Sequence, residues 1–325
     1  MNSITKFGLG LAALGRPGYI NIGHAEDLKE DYEISAMERN THSVLDAAWD
    51  SGVRYFDCAR SYGRAEEFLG SWIAAKGIAP DDISIGSKWG YTYTAAWRVQ
   101  TAAGTAHEVK RHELSMLKGQ YGQSVKWLGP HLKLYQIHSA TPESGVLKNA
   151  EVLDGLNKLK QTGIQIGLSV SGPSQSTTID QAVEIEFDGV RLFDSVQATW
   201  NLLETSAGSS LRSAHESGLK VIVKEGLANG RLTHRNVAPD FSEKLSFLKG
   251  IAEDRETSVD ALALAAAANQ PWVKTVLSGA STVEHLKSNL LAGIVAWDDE
   301  LEARLTPLAE PAQEYWRLRS KMAWN

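Results

Sequence analysis

The sequence has a single cysteine, Cys58, so no internal disulfide can form and no cysteine-rich zinc site can be built. Such a chain suits a reducing compartment, and the cytoplasm is the expected location. No apolar run approaches the roughly 18 residues a membrane span requires, so no membrane association is expected. The short apolar stretch "FGLGLAALG" is preceded by one basic residue, Lys6, a poor match to a signal peptide. Positive charge is not in excess either: the formal charge is -6, which argues against nucleic acid as a partner. Pro/Ser-rich linkers and low-complexity tracts are also missing, so residues 1–325 are expected to form a single domain.

Eight short β-type runs are present: "KFGLGLA", "VRYFDCA", "ISIGSKWG", "LKLYQIHS", "IQIGLSVSG", "SVQATWN", "KVIVKEG" and "VKTVLSG". Helical stretches follow most of them, several closing on glycine, as in "AEEFLGSWIAAKG" and "VLDGLNKLKQTG". Strand and helix alternating eight times predicts an α/β fold, a closed parallel (β/α)8 TIM barrel. Two connections exceed simple turns, Gly15–Met37 and Tyr91–Ala106. Active sites of such barrels sit at the C-terminal ends of the strands, where these loops emerge. The aromatic run "WGYTYTAAW" is expected to wall a substrate pocket, with Trp89 as its first candidate.

Two motifs mislead. "GLGLAA" mimics a dinucleotide fingerprint, yet Pro17 and a string of glycines follow where the motif needs a helix. "HEVKRHE" looks like a zinc-protease helix, but its histidines, His107 and His112, are five apart. On a helix they would diverge by about 140°, so no metal is expected and both are read as solvated helix residues.

Alternation along "VRYFDCA" puts Tyr55 and Asp57 on one face, with Phe56 and Cys58 on the other. Asp57 then points into the barrel at its rim. The next two strands end in Lys88 and His138, and Tyr62 hangs on the loop after the first. Packing alone rarely places four such groups at adjacent rim positions. The set suits carbonyl reduction or its reverse. A phenol with a pKa near 10 is a weak catalyst at neutral pH, and a neighbouring Lys88 ammonium is expected to lower it. Asp57 would keep Lys88 charged, His138 would hydrogen-bond the carbonyl oxygen, and Tyr62 would supply the proton.

These residues resemble the aldo-keto reductase family, and the resemblance runs along nearly the whole chain. "FDCARSYGRAEEFLG", "SKWG" and "LYQIHS" are similar to the family's signature segments, which implies Asp57, Tyr62, Lys88 and His138 as the catalytic set. The resemblance also implies an NAD(P)(H) cofactor lying across the barrel mouth. Ser169 and Gln197 would then contact its carboxamide and Trp200 would stack on the nicotinamide. Leu227, Asn229 and Gly230 in "GLANGRL" would cradle the pyrophosphate. Gly279, Ser281, Thr282, His285 and Asn289 in "GASTVEHLKSN" would form the adenosine-phosphate site, with NADP(H) expected ahead of NAD(H). The chain departs from the family pattern at Val170, where an amide is usual, at Trp200, where tyrosine is commoner, and at His285, where arginine or glutamine is frequent.

The implied activity is interconversion of an aldehyde, ketone or aldose-type sugar with its alcohol, on a small-molecule substrate. Three alternatives stay open: an NAD-linked sugar or alcohol dehydrogenase, a slow redox-sensing regulatory subunit that binds cofactor, and a barrel aldolase using Lys88 as a Schiff base. The sequence carries no signal for oligomeric state.

Overall fold

The computed structural model describes residues 3–102 and 104–325; residues 1 and 2, and Ala103 within the Tyr91–Ala106 connection, lie outside them. Eight parallel strands close into a barrel in chain order. They are β1 (Phe7–Gly10), β2 (Tyr55–Asp57), β3 (Ser84–Trp89), β4 (Leu132–Ala140), β5 (Gln165–Val170), β6 (Ser195–Thr199), β7 (Lys220–Lys224) and β8 (Thr275–Ser278). Each of the eight predicted runs contributes one strand.

The strands are buried on both faces, as parallel strands under helices must be. Inside the barrel, Tyr55, Leu134, Ile222 and Leu277 form an apolar plug beneath the polar rim. Outward-facing Phe56, Leu168, Val196 and Val223 join the main core under the helices, and Cys58 lies with them. The helix Ala65–Lys76 shows why this packing is specific. Its Trp72 sits on Phe56 with ring centroids 5.6 Å apart and meets Trp49 at 6.0 Å, while its indole N–H donates to Asp46 (2.7 Å). Gly77 then ends the helix in the left-handed conformation, where the absence of a Cβ removes the steric penalty.

The two long connections rise over the C-terminal rim. The first holds a single helical turn, His24–Asp27, and meets the loop after β7, where the Ile22 amide donates to the Asn229 carbonyl (3.1 Å). The second begins as an antiparallel hairpin, Tyr91–Tyr93 pairing with Glu108–Lys110. That hairpin corrects the helical reading of "HEVKRHE". Val109 alternates between charged neighbours and pairs across to Thr92, so the segment is extended, and the next helix starts only at Leu114. Both histidines are half-buried and engaged rather than free in solvent. His107 stacks flat on Trp324 at 4.0 Å, and His112 Nε2 lies 2.9 Å from the His138 carbonyl oxygen. Among the described residues no group of three His, Cys, Asp or Glu is placed to hold a metal ion, and no helix is long and apolar enough to cross a membrane.

Candidate active site

Strand alternation brings Asp57 and Lys88 face to face inside the rim, where they are 2% and 1% exposed. Lys88 Nζ donates to Asp57 Oδ1 and to the Cys58 carbonyl oxygen (3.0 Å). The other carboxylate oxygen accepts from Tyr55 (3.2 Å), Gln136 (3.2 Å) and Gln197 (2.9 Å). The carboxylate thus has donors on both oxygens, which meets the hydrogen-bonding need of a buried charge.

Tyr62 sits on a tight turn held by Tyr62 N–H to Ala59 O and Ala65 N–H to Tyr62 O, both 3.0 Å. The glycine behind it has a specific purpose. Gly63 has φ +59°, and a Cβ there would overlap the Gly15 carbonyl oxygen, which itself accepts the Arg64 amide (2.7 Å). This close crossing of two backbones fixes where the phenol stands. Its ring centre lies 5.0 Å from Lys88 Nζ and 5.5 Å from the His138 ring, edge to face. His138 Nδ1 is 3.5 Å from Ser61 Oγ.

The electrostatics differ from expectation at the phenol. Burial, then the Asp57 charge, pushes the Tyr62 pKa well above the ordinary tyrosine value, and the Arg16 guanidinium only partly opposes them. The Lys88 ammonium, bonded directly to the Asp57 carboxylate, does not outweigh these effects. Burial, then the Lys88 and Arg16 charges, pulls His138 well below the ordinary histidine value. At neutral pH the pair is therefore a neutral phenol beside a neutral imidazole.

Tyr62 and His138 open onto a cavity of about 560 Å³. Gln197, Leu227, Asn229, Gly230, Gly279, His285 and Asn289 also line it. Gln197, however, also donates to Asp57 Oδ2, and Asn289 is bonded to Ser278 (2.8 Å). The remaining assignments need correction. Trp89 follows inward-pointing Lys88, so it faces outward; it is 0% exposed, lies edge-on to His112 and is absent from the cavity wall. Trp200 likewise turns away, packing edge-on against Trp272 at 5.7 Å, and cannot stack on a ligand in this cavity. Ser169 accepts the Ser139 amide (2.8 Å) behind the wall, leaving Ser171 to reach the cavity. Ser281 donates to Asp27 Oδ2 (2.6 Å), and Thr282 caps its helix by accepting from the His285 amide (3.1 Å). The Ser281 proton is thus committed to Asp27, and the Thr282 oxygen to its helix cap. The carboxylate that engages Ser281 comes from the distant first connection and also pairs with Arg235 (2.5 Å).

Several wall residues are not read from the sequence, Arg16, Tyr19, Lys224, Arg235, Arg319 and Trp324, whereas Tyr91 comes from the aromatic run expected to wall a pocket. Lys224 was within reach, since it ends "KVIVK" as Lys88 ends its own strand. The others arrive through long-range contacts that leave no local pattern.

Part of the cavity wall suits a dinucleotide. Asn229 Oδ1 is buried without a partner, and bare backbone at Gly230 and Gly279 forms part of the wall. The sequence matches the profile of the Aldo/keto reductase family over residues 8–309. It is 25% identical to a D-threo-aldose 1-dehydrogenase of a Pseudomonas species, covering 92% of this chain and 96% of that protein. It is also 25% identical to a probable voltage-gated potassium channel subunit beta of Arabidopsis thaliana, covering 89% of this chain and 90% of that protein. An aldo-keto reductase from Bacillus halodurans, solved in its holo form, superposes with a TM-score of 0.68 at 20% identity, covering 94% and 93% of the two chains.

The crossing of Gly15 and Gly63 leads to a direct expectation. Gly63→Ala overpacks a backbone contact in a left-handed conformation and should destabilise the fold by about 1–3 kcal/mol, read by denaturant unfolding. Wild-type stability in that variant would show that the contact does not constrain the Tyr62 turn.

Proposed function

The chain belongs to the aldo/keto reductase family, and we propose that it is an NAD(P)(H)-dependent oxidoreductase that interconverts a carbonyl compound, an aldehyde, ketone or aldose sugar, with its alcohol. The observation that supports this most is the neutral Tyr62 phenol set beside neutral His138 on the wall of one cavity, with Asp57 on the same wall and Lys88 bonded behind it.

A bound nicotinamide cofactor supplies or accepts the hydride. The chain's own residues handle the oxygen. His138 donates a hydrogen bond to the carbonyl oxygen and orients it. Tyr62 gives its proton to that oxygen as charge develops there, so the carbonyl gains one hydride and one proton and becomes an alcohol. The Lys88 ammonium, held by Asp57, stabilises the phenolate that remains. In the oxidative direction Tyr62 must first lose its proton, and its raised pKa makes reduction the easier direction at neutral pH. Lys88 serves poorly as a Schiff-base nucleophile, being 1% exposed, bonded to Asp57 and absent from the cavity wall.

For the cofactor, Leu227, Asn229 and Gly230 would hold the pyrophosphate, and Gly279, His285 and Asn289 the adenosine end. We favour NADP(H) over NAD(H), with Arg235 in place of the Ser281 and Thr282 hydroxyls. Its guanidinium lines the cavity beside His285 and supplies a cation there, since burial lowers the His285 pKa and leaves that ring neutral. Asp27, Glu284 and Asp260 nearby oppose a phosphate, so the preference is expected to be modest. The likeness to a potassium channel beta subunit favours a second reading, a slow cofactor-binding redox sensor. Hydride transfer much slower than cofactor release would support it.

Tyr62→Phe should lower carbonyl reduction on the order of 10²-fold or more while nicotinamide binding stays near wild type, measured by cofactor absorbance over a panel of aldehydes, ketones and sugars. Undiminished turnover would remove Tyr62 from the chemistry. Arg235→Gln should weaken NADP(H) binding about tenfold, as expected for a lost charge-assisted hydrogen bond, and NAD(H) binding less. Tighter NAD(H) than NADP(H) binding by the native protein would overturn the cofactor assignment.

A further inference from the structure

The catalytic end of the cavity holds a cation that its neighbours do not neutralise. Four basic groups lie around it, Arg16, Lys88, Lys224 and Arg319, against three carboxylates, Asp57, Glu108 and Glu225. Each carboxylate has a closer partner than Lys224. Asp57 is bonded to Lys88, Glu108 pairs with Arg16 at 2.8 Å, and Glu225 takes the Arg319 Nε at 3.0 and 3.1 Å on its two oxygens. Lys224 Nζ stands 3.8 Å from Glu225, beyond hydrogen-bond reach, and donates to Thr199 Oγ1 (2.7 Å).

That arrangement is poor as a purely structural one. An ammonium out of water needs both charge and hydrogen-bond partners, and Lys224, with its side chain 16% exposed, has one hydroxyl, a carboxylate 3.8 Å away and the Trp316 ring face at 5.8 Å. An ammonium has three donors, and this one lines the cavity. Alternation with Ile222, which belongs to the interior plug, points it inward from the end of β7. In the eight-strand ring β7 lies opposite β3, so Lys224 faces Lys88 and its partners across the mouth. Its charge is felt at His138, whose pKa it helps to lower.

We propose that Lys224 binds an anionic group, carboxylate or phosphate, carried by the carbonyl substrate, so that the preferred substrates are acidic aldehydes, oxo acids or sugar phosphates. This rests on the oxidoreductase reading for its substrate but not for its binding. Burial lowers the Lys224 pKa to about 8, so the group is mainly charged at neutral pH and gains its missing partner when an anion arrives. Neutral carbonyl compounds leave the charge uncompensated.

Two measurements test the proposal independently. In the first, kcat/KM is compared within the pairs 4-oxobutanoate and butanal, and glyceraldehyde 3-phosphate and glyceraldehyde; the two pairs separate a carboxylate preference from a phosphate preference. The native protein should favour the anionic member of at least one pair by about 10-fold or more, the range expected for a charge-assisted hydrogen bond. Lys224→Met should bring that ratio close to one, mainly through KM, and Lys224→Arg should restore part of it. In the second, succinate and inorganic phosphate are titrated into the enzyme without turnover, following the fluorescence of tryptophan, which includes Trp324 on the cavity wall. At least one anion should bind the native protein and bind Lys224→Met about 10-fold more weakly. Turnover with no anionic preference in either pair would sink the proposal and leave the oxidoreductase reading standing. Lys224-dependent anion binding without turnover of any carbonyl would do the reverse. Equal loss of anionic and neutral activity in Lys224→Met, together with weakened dinucleotide binding, would reassign Lys224 to the cofactor and overturn the proposal.

Discussion

Everything at the rim of this barrel depends on one buried ion pair, Asp57 with Lys88. A closed parallel barrel covered by helices offers no water to its inward-facing groups, so a charge survives there only with a full set of partners. Asp57 has them: an ammonium on one oxygen, and a phenol and two amides on the other. Removing one partner of such a pair typically costs about 3–5 kcal/mol, because the other is left buried and uncompensated. The pair therefore serves two ends. It draws β2, β3, β4 and β6 together through Tyr55, Lys88, Gln136 and Gln197, and it provides a fixed cation beside the phenol.

Burial and the same pair together account for the protonation of its neighbours. Burial, then the Asp57 charge, keeps Tyr62 protonated, while burial, then the cations around the rim, keeps His138 neutral. A neutral acid beside a neutral hydrogen-bond donor is suited to an oxygen that becomes negative during the reaction, since proton and hydrogen bond are both given to the charge as it forms. Along the rest of the cavity, charge is mixed. Arg235 is opposed by Asp27, Asp260 and Glu284 near the adenosine end, and Lys224 stands loosely paired near the catalytic end.

What could be read from the sequence follows a simple physical division. Period-two alternation and the habit of barrels to act at strand ends locate Asp57, Lys88 and His138, because both rules are local. The same alternation, carried one residue further, places Trp89 outside the barrel, and Lys224 yields to the strand-end rule as well. Trp200 lies past the last inward residue of β6, where alternation no longer constrains direction. Ser281 and Thr282 were assigned by likeness alone. Their engagement depends on Asp27, some 250 residues away along the chain (|i−j| = 254), and on a helix cap that competes for the same hydroxyl. The sign of the Tyr62 pKa shift was also beyond reach, since it turns on whether Asp57 already neutralises Lys88 and on how deeply the ring is buried.

The central claim is that Tyr62 works as a neutral acid beside a neutral His138, and the pH dependence of the hydride-transfer step tests it most directly. The measurement is the single-turnover rate of carbonyl reduction with pre-bound reduced cofactor between about pH 6 and pH 8. Tyr62 stays protonated below its raised pKa and His138 stays neutral above its lowered one. The rate should therefore remain constant within about twofold across that window. A rate that changes about tenfold per pH unit there would show that one of the two groups titrates near neutrality, and would contradict the account.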